Sequence, residues 1–222
     1  MEIIAKIYTD FREKFGIPRQ SGLSANVGKI VFEKKYRRPE ALRGIEGFSH
    51  LWLIWQFSEL KRCEWSPTVR PPRLGGNQRV GVFATRSPYR PNPIGLSSVR
   101  LLGVEKTTRD GTVLIVEGAD LLDGTPIYDI KPYLTFTDSH PDASSGYADE
   151  VLGNNLHVNI PEEFAKMLTH DEKSELEAIL SQDPRPHYKK DGSTEYGMSF
   201  CGYNVNFKVE DELLTVTKIA KM

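Results

Sequence analysis

An arginine-bearing loop stiffened by proline is the part of this sequence best equipped for chemistry. It runs Thr85-Arg86-Ser87-Pro88-Tyr89-Arg90-Pro91-Asn92-Pro93-Ile94-Gly95-Leu96-Ser97. Proline fixes φ and removes a backbone donor, and it pushes the residue before it to extended geometry, so Ser87, Arg90 and Asn92 are constrained as well. Such a segment fits neither a helix interior nor a central strand. A rigid, irregular backbone that holds out Arg86 and Arg90 suits an anionic or polar ligand, because little ordering entropy remains to be lost on binding.

Five further constellations carry reactive or recognising side chains. Pro18-Arg19-Gln20 is a polar loop in which Gln20 offers both a donor and an acceptor, enough to read an adenine-like edge. Phe48-Ser49-His50-Leu51-Trp52 places one histidine before an apolar strand; a lone histidine there is more often packed and hydrogen-bonded than a ligand. The histidines show no i, i+2 or i, i+4 spacing, so no metal site is expected. Thr68-Val69-Arg70-Pro71-Pro72-Arg73-Leu74-Gly75-Gly76-Asn77 is either an arginine clamp for phosphate or a loop of solvated charges. Asp120-Leu121-Leu122-Asp123-Gly124-Thr125-Pro126, followed by Asp129-Ile130-Lys131-Pro132-Tyr133, reads as a tight turn rich in carboxylates beside a lysine and a tyrosine. Those types can bind a cationic ligand and move a proton. Gln182-Asp183-Pro184-Arg185-Pro186-His187-Tyr188 is either a helix stop or a stiff loop for an interface or RNA.

Charge distribution sharpens this. The formal net charge is only -1, yet Lys61, Arg62, Arg70, Arg73, Arg79, Arg86, Arg90 and Arg100 fall in one stretch whose single acid is Glu64. An arginine-dominated patch points to a local anion-facing surface, since guanidinium binds phosphate and carboxylate bidentately. G-x-S-x-G, H-E-x-x-H and Walker A patterns are absent, which removes most support for hydrolase and NTPase readings. No Gly-rich phosphate loop follows a strand, so a dinucleotide fold is not expected. Cys63 and Cys201 have no metal or disulfide spacing, and neither a leader-like start nor an apolar run of membrane-spanning length is present. A reduced, cytoplasmic, soluble protein with no membrane partner is the expectation.

The elements that must hold these loops are mainly β. Ile3–Tyr8, Lys29–Phe32, Leu51–Phe57, Val80–Ala84, Ser97–Val104 and Val113–Glu117 are short, β-branched or aromatic runs bounded by turn residues, and Asp110-Gly111 marks a hairpin. Gly44–Phe48 reads as a short helical or turn segment. Many short strands with few helices argue for a small barrel or sandwich. The later chain differs. Pro161 with Glu162 and Glu163 opens one helix, and Thr169-His170-Asp171-Glu172 is a capping box before Leu176, Ile179 and Leu180, ending at Gln182-Asp183-Pro184. Met198–Val209 and Glu212–Ile219 read as a terminal β-pair. The polar cluster Asp138–Gly153 marks a boundary between domains at 1–142 and 143–222.

Taken together, Pro-Arg-Gln, Phe-Ser-His-Leu-Trp, Arg-Pro-Pro-Arg-Leu-Gly-Gly-Asn, the proline-rich segment, Asp-Gly-Thr-Pro and Asp-Ile-Lys-Pro-Tyr resemble the TsaA/TrmO-like family of tRNA (adenine-N6)-methyltransferases. The likeness covers Met1 to about Tyr147 motif by motif and extends less distinctively to the C-terminal strands of two-domain members. It implies a small β-barrel N-terminal domain with a smaller α+β C-terminal domain. It implies S-adenosyl-L-methionine as cofactor, a homodimer with the cofactor near the subunit interface, and N6 of threonylcarbamoyladenosine beside the anticodon of threonine tRNA as acceptor. By position it implies a cofactor pocket of Pro18, Arg19, Gln20, His50, Leu51, Arg86, Leu96, Asp123, Gly124, Thr125 and Pro126, with Asp129, Lys131 and Tyr133 near the reacting centre. Either Arg86 or Arg19 would take the cofactor carboxylate, Asp123 its ammonium or a ribose hydroxyl, and Tyr133, Asp129 or a water the departing proton. Arg70, Arg73 and Arg90 would face anticodon-loop phosphates. The rival readings are a non-catalytic nucleotide- or tRNA-binding module and a purely structural dimer.

Overall fold

Gly111 adopts a left-handed φ of 72° and turns the chain between two long strands, as its place after Asp110 requires. In a computed structural model of the chain, which describes residues 1–60, 65–71, 74, 78–150, 155–185 and 194–222, this hairpin is one side of a cylinder. Its strands are β1 (Ala5–Tyr8), β2 (Val27–Phe32), β3 (His50–Gln56), β6 (Ile94–Thr107), β7 (Gly111–Glu117) and β8 (Thr125–Pro132). They pair in the closed order β1-β2-β7-β6-β3-β8. Alternate residues point inward, and Ala5, Ile7, Ile30, Leu51, Leu53, Val99, Leu114, Val116 and Ile127 are almost wholly buried. A ring of so few strands encloses only enough space for side chains, so the interior is a core and the ligand site lies at an end. Short 3-10 turns at Lys34–Tyr36, Pro39–Leu42 and Ile45–Gly47 lie between β2 and β3, the last where Gly44–Phe48 suggested one.

Two expectations change here. Val80–Ala84 is a two-residue strand, β5 (Val80–Gly81), paired with β4 (Thr68–Val69) and followed by a 3-10 turn at Val82–Ala84. The Val82 amide donates to Pro67 O and the Thr85 hydroxyl to Val82 O, which bends the chain out of the sheet. The Asp-Gly-Thr-Pro and Asp-Ile-Lys-Pro-Tyr motifs, read as turn and site, form most of β8. Pro126 is tolerated near the strand start, where its neighbour across β1 is Lys6.

The rest of the chain builds a second core. After α1 (Thr135–Asp138) and α2 (Tyr147–Glu150) come β9 (His157–Asn159), α3 (Glu162–Ala165), α4 (His170–Ser181), β10 (Tyr196–Phe200), β11 (Tyr203–Glu210) and β12 (Leu213–Lys221). The four strands order as β10-β11-β12-β9, with β9 parallel to β12. The Met198–Val209 run is split by a turn at Cys201-Gly202, where both residues have positive φ. The capping box of α4 forms as its sequence dictates: Thr169 Oγ1 accepts from the Glu172 amide, and Glu172 accepts from the Thr169 amide. Leu176, Ile179 and Leu180 then face Phe200, Phe207 and Val216.

Phe11, between β1 and β2, is buried in this second core, with Phe15 and Ile17 packed against it. The segment leading into Pro18-Arg19-Gln20 is therefore anchored away from the barrel. Beside it, burial and the charges of Asp10 and Glu172 push the Glu175 carboxyl up to about 7, and Cys201 up to about 12. Because Glu175 titrates higher folded than unfolded, its contribution to stability is full below the ordinary glutamate range and is lost as pH rises through 7. Glu175→Gln is expected to raise stability at pH 8 by about 2 kcal/mol after allowing for partial exposure, and to change nothing near pH 4. Thermal melts of both proteins at the two pH values check this.

Candidate functional site

Trp55 closes one end of the barrel, and what it needs to do so explains a glycine in the proline-rich motif. Trp55 sits opposite Gly95 across β3 and β6. A Cβ on Gly95 would lie 2.2 Å from the indole ring, so only glycine leaves room for it. Gly95→Ala is expected to cost about 2 kcal/mol by overpacking and to tilt Trp55 into the space above. A drop in melting temperature together with altered tryptophan fluorescence reports both effects.

Above Trp55 lies a cleft of about 670 Å³. Its walls come from the β1–β2 segment (Pro18, Arg19, Gln20), the proline-rich loop (Arg86, Tyr89, Arg90, Leu96), the end of β3 (Trp55, Phe57) and the start of β8 (Thr125). Asp120 stands on its floor. Trp55 Nε1 donates to Ser97 Oγ at 2.9 Å, and Ser97 Oγ donates to Asp120 Oδ1 at 2.5 Å. Burial raises the Asp120 carboxyl above the usual carboxylate range, against the opposing pull of Ser97, the Arg86 charge and the Ser21 amide.

The loop is rigid through contacts as well as prolines. The Ser87 amide donates to Thr85 Oγ1 at 3.2 Å, and Arg90 Nη1 donates to the carbonyls of Thr85 and Ser87 at 2.9 and 3.4 Å. Arg90 thus staples its own loop. Arg86 points across the cleft and donates to Gln20 Oε1. The opposite wall is braced from the second core: the Arg19 amide donates to Gln182 Oε1 at 3.3 Å, and its guanidinium to Asp183 O. Asp183, at φ 51°, is itself gripped by Arg185 at 2.7 and 3.0 Å. The described part of the Gln182–Tyr188 motif is both helix stop and brace; Pro186, His187 and Tyr188 lie outside the described residues. So do Pro72, Arg73, Gly75, Gly76 and Asn77 of the third motif, and Lys61, Arg62 and Cys63.

Of the residues expected in one site, Pro18, Arg19, Gln20, Arg86, Leu96 and Thr125 share the cleft. The others do not line it within this chain. Leu51 is buried in the barrel core. Asp123 Oδ1 accepts from the Thr9 amide at 3.0 Å, Gly124 takes a left-handed φ of 76° to close the turn, and Pro126 enters β8. His50 and Tyr133 meet at the far end of the barrel, with ring centroids 6.2 Å apart and the Tyr133 amide bonded to His50 O. Lys131 pairs with Asp129 at 2.8 Å toward the exposed end of β8. At about 3.3 Å per residue, the five residues of β3 from Trp55 back to His50 put that end roughly 16 Å from the cleft floor. Sequence reasoning passed over Trp55, Ser97 and Asp120 as site residues. The available signal was an acid at the head of the Asp120–Asp123 run, too far from Ser97 and Arg86 in sequence to suggest their meeting.

The cleft fits an adenosyl-methionine ligand. Its size lies in the range of small-molecule sites, apolar and aromatic walls flank a partly buried acid and an arginine, and the ligand carries a carboxylate, an ammonium and a sulfonium. Among the described residues no helix is long and apolar enough to cross a membrane.

Comparison with known proteins agrees with this arrangement. The model for the tRNA-methyltransferase O N-terminal domain matches residues 6–139, and that for the TrmO C-terminal domain matches residues 154–222. A tRNA (adenine(37)-N6)-methyltransferase of Escherichia coli (strain K12) is 44% identical over 220 residues, 95% of this chain and 93% of that protein. A putative S-adenosylmethionine-dependent methyltransferase of Pseudomonas aeruginosa is 38% identical over 98% of this chain and 96% of that protein. The crystal structure of TrmO from the same genus and species superposes with a TM-score of 0.78 at 34% identity, covering 99% of this chain and 95% of that one. Two family models spanning nearly the whole chain, on a fold shared with that crystal structure, show that the chain belongs to the tRNA-methyltransferase O family.

Proposed function

We propose that the chain transfers a methyl group from S-adenosylmethionine to N6 of the adenine next to the anticodon of tRNA, and that the cleft above Trp55 holds the cofactor. The observation that carries this reading is the convergence of Gln20, Arg86, Leu96, Thr125 and Asp120 on one cleft in a chain of this family. The cofactor supplies an electrophilic methyl on a sulfonium. The protein supplies charge and placement: Arg86 faces the carboxylate, Asp120 takes the ammonium expected for Asp123, which accepts from the Thr9 amide and does not line the cleft, and Gln20 reads the adenine edge. Methyl transfer is an in-line displacement, so fixing donor and acceptor in a stiff site contributes much of the rate.

The finer expectations extend this proposal. The acceptor is threonylcarbamoyladenosine in threonine tRNA, and the protein works in the cytoplasm. The barrel unit, residues 1–142, carries the site, and the α+β unit, 143–222, braces it through Gln182 and Asp183. The protein is a homodimer in which His50, Asp129, Lys131 and Tyr133 approach the partner's cleft, while Leu51 supports their strand from the core. Two facts support that last step: His50 and Tyr133 meet at the barrel end away from their own cleft, and His50 and Lys131 are exposed. Lys131 would then orient the acceptor, with Tyr133, Asp129 or a water taking the proton.

Labelled cofactor incubated with threonylcarbamoyl-modified and unmodified tRNA tests the reaction. Label is expected in the modified RNA. Cofactor binding with no label in either RNA would favour the non-catalytic module instead.

A further inference from the structure

Beside the mouth of the cleft three aromatic rings stand in water. Phe83 is 74% exposed, Trp65 51% and Tyr89 48%. Trp65 and Phe83 lie nearly parallel, 6.5 Å apart at an interplanar angle of 25°. The Arg90 guanidinium, held by the carbonyls of its own loop, lies 5.9 Å from the Phe83 centroid. Arg79 runs along the β4–β5 hairpin, its Nε donating to Thr68 Oγ1 at 2.9 Å. From Trp65 to Arg100 the sequence contains no Asp or Glu but holds Arg70, Arg73, Arg79, Arg86, Arg90 and Arg100.

Exposed rings of this size cost hydration and contribute nothing to either core, so they mark a contact surface. The charge says what is contacted: a stretch that carries arginines and no acids suits a polyanion and opposes a second surface of the same sign. The geometry says which part of it. Tyr89 and Arg90 line the cleft as well as this shelf, so whatever lies on the rings runs directly into the site. A base in a tRNA loop can reach a pocket only when it leaves the stack, and its neighbours then need new stacking partners.

We propose that Trp65, Phe83 and Tyr89 form a stacking shelf for the unpaired RNA bases flanking the target adenine, with Arg79 on their phosphates. This rests on the reading that the chain methylates an adenine in a tRNA loop. The shelf holds the neighbours so that one base alone enters the cleft. It recognises single-stranded character more than sequence, because every base has a π-face.

The test uses the full chain and an anticodon stem-loop RNA with the adenine after the anticodon. Phe83→Ala and Trp65→Ala are each expected to raise the RNA Kd about tenfold. Phe83→Tyr should keep the wild-type value, since it keeps the ring. Arg79→Ala should lower the slope of log Kd against log salt by about one. S-adenosylmethionine affinity, measured calorimetrically, and the sedimenting mass should stay as in wild type. Unchanged RNA affinity in both alanine variants, with wild type binding normally, overturns the shelf and leaves the methyltransferase reading standing. A fall in sedimenting mass together with loss of cofactor binding overturns it in favour of a contact between two copies. A wild-type protein that neither binds nor methylates RNA defeats both.

Discussion

Replacing Arg86 with alanine is expected to raise the Kd for S-adenosylmethionine about 100-fold, the loss for a charge-assisted bond in a partly enclosed site. The cause is electrostatic. Arg86 is a cation whose charge acts on the partly buried Asp120, and its guanidinium also holds Gln20 in place. Its removal takes away the cofactor carboxylate's partner, frees Gln20 to turn, and leaves Asp120 with less reason to ionise. All three changes act on the ligand site. The fold should barely notice, because Arg86 lies on a loop already held by three prolines, Thr85 Oγ1 and Arg90. Titration calorimetry and a thermal melt separate the two effects. A melt that drops in step with affinity would make Arg86 a structural residue; unchanged affinity would remove the cleft as the cofactor site.

Local devices were the readable part of this fold. The Thr169–Glu172 capping box and the Asp110-Gly111 hairpin depend on bonds within a few residues, so their sequences suffice. Strand β8 was hidden by Pro126 and Pro132, which weaken any strand pattern, although a position near the strand start and one at its end accommodate them. The Pro18–Gln20 and proline-rich motifs announced themselves by composition, and they do meet. Asp123 and Asp120 are three residues apart and look alike in sequence. Their environments divide on distant partners: Asp123 meets Thr9 through β1–β8 pairing, while Asp120 meets Ser97 and Arg86 through closure of the barrel end. No spacing rule encodes such a meeting. The bracing of Arg19 by Gln182 and Asp183, residues from opposite ends of the chain, was unreadable for the same reason.

Asp120→Asn gives the second large expected effect and distinguishes a counter-charge from a scaffold. The amide keeps the shape and can still accept from Ser97 Oγ, but it removes the charge from the floor of the cleft. Cofactor affinity should fall about 30- to 100-fold, as expected when a buried carboxylate no longer faces a cationic ligand. The pH dependence is the sharper readout. Burial raises the Asp120 carboxyl, so in the free protein it becomes neutral on acidification earlier than an ordinary aspartate would. Wild-type affinity should therefore decline as pH is lowered, from a point above the normal aspartate range, whereas the asparagine variant should be flat across the same interval. Stability moves the other way. A carboxyl whose folded pKa is raised destabilises the fold once ionised, so near neutral pH the variant should melt no lower than wild type. A parallel loss of affinity at every pH, with a lowered melt, would assign Asp120 to holding Trp55 and Ser97 in place rather than to facing the cofactor.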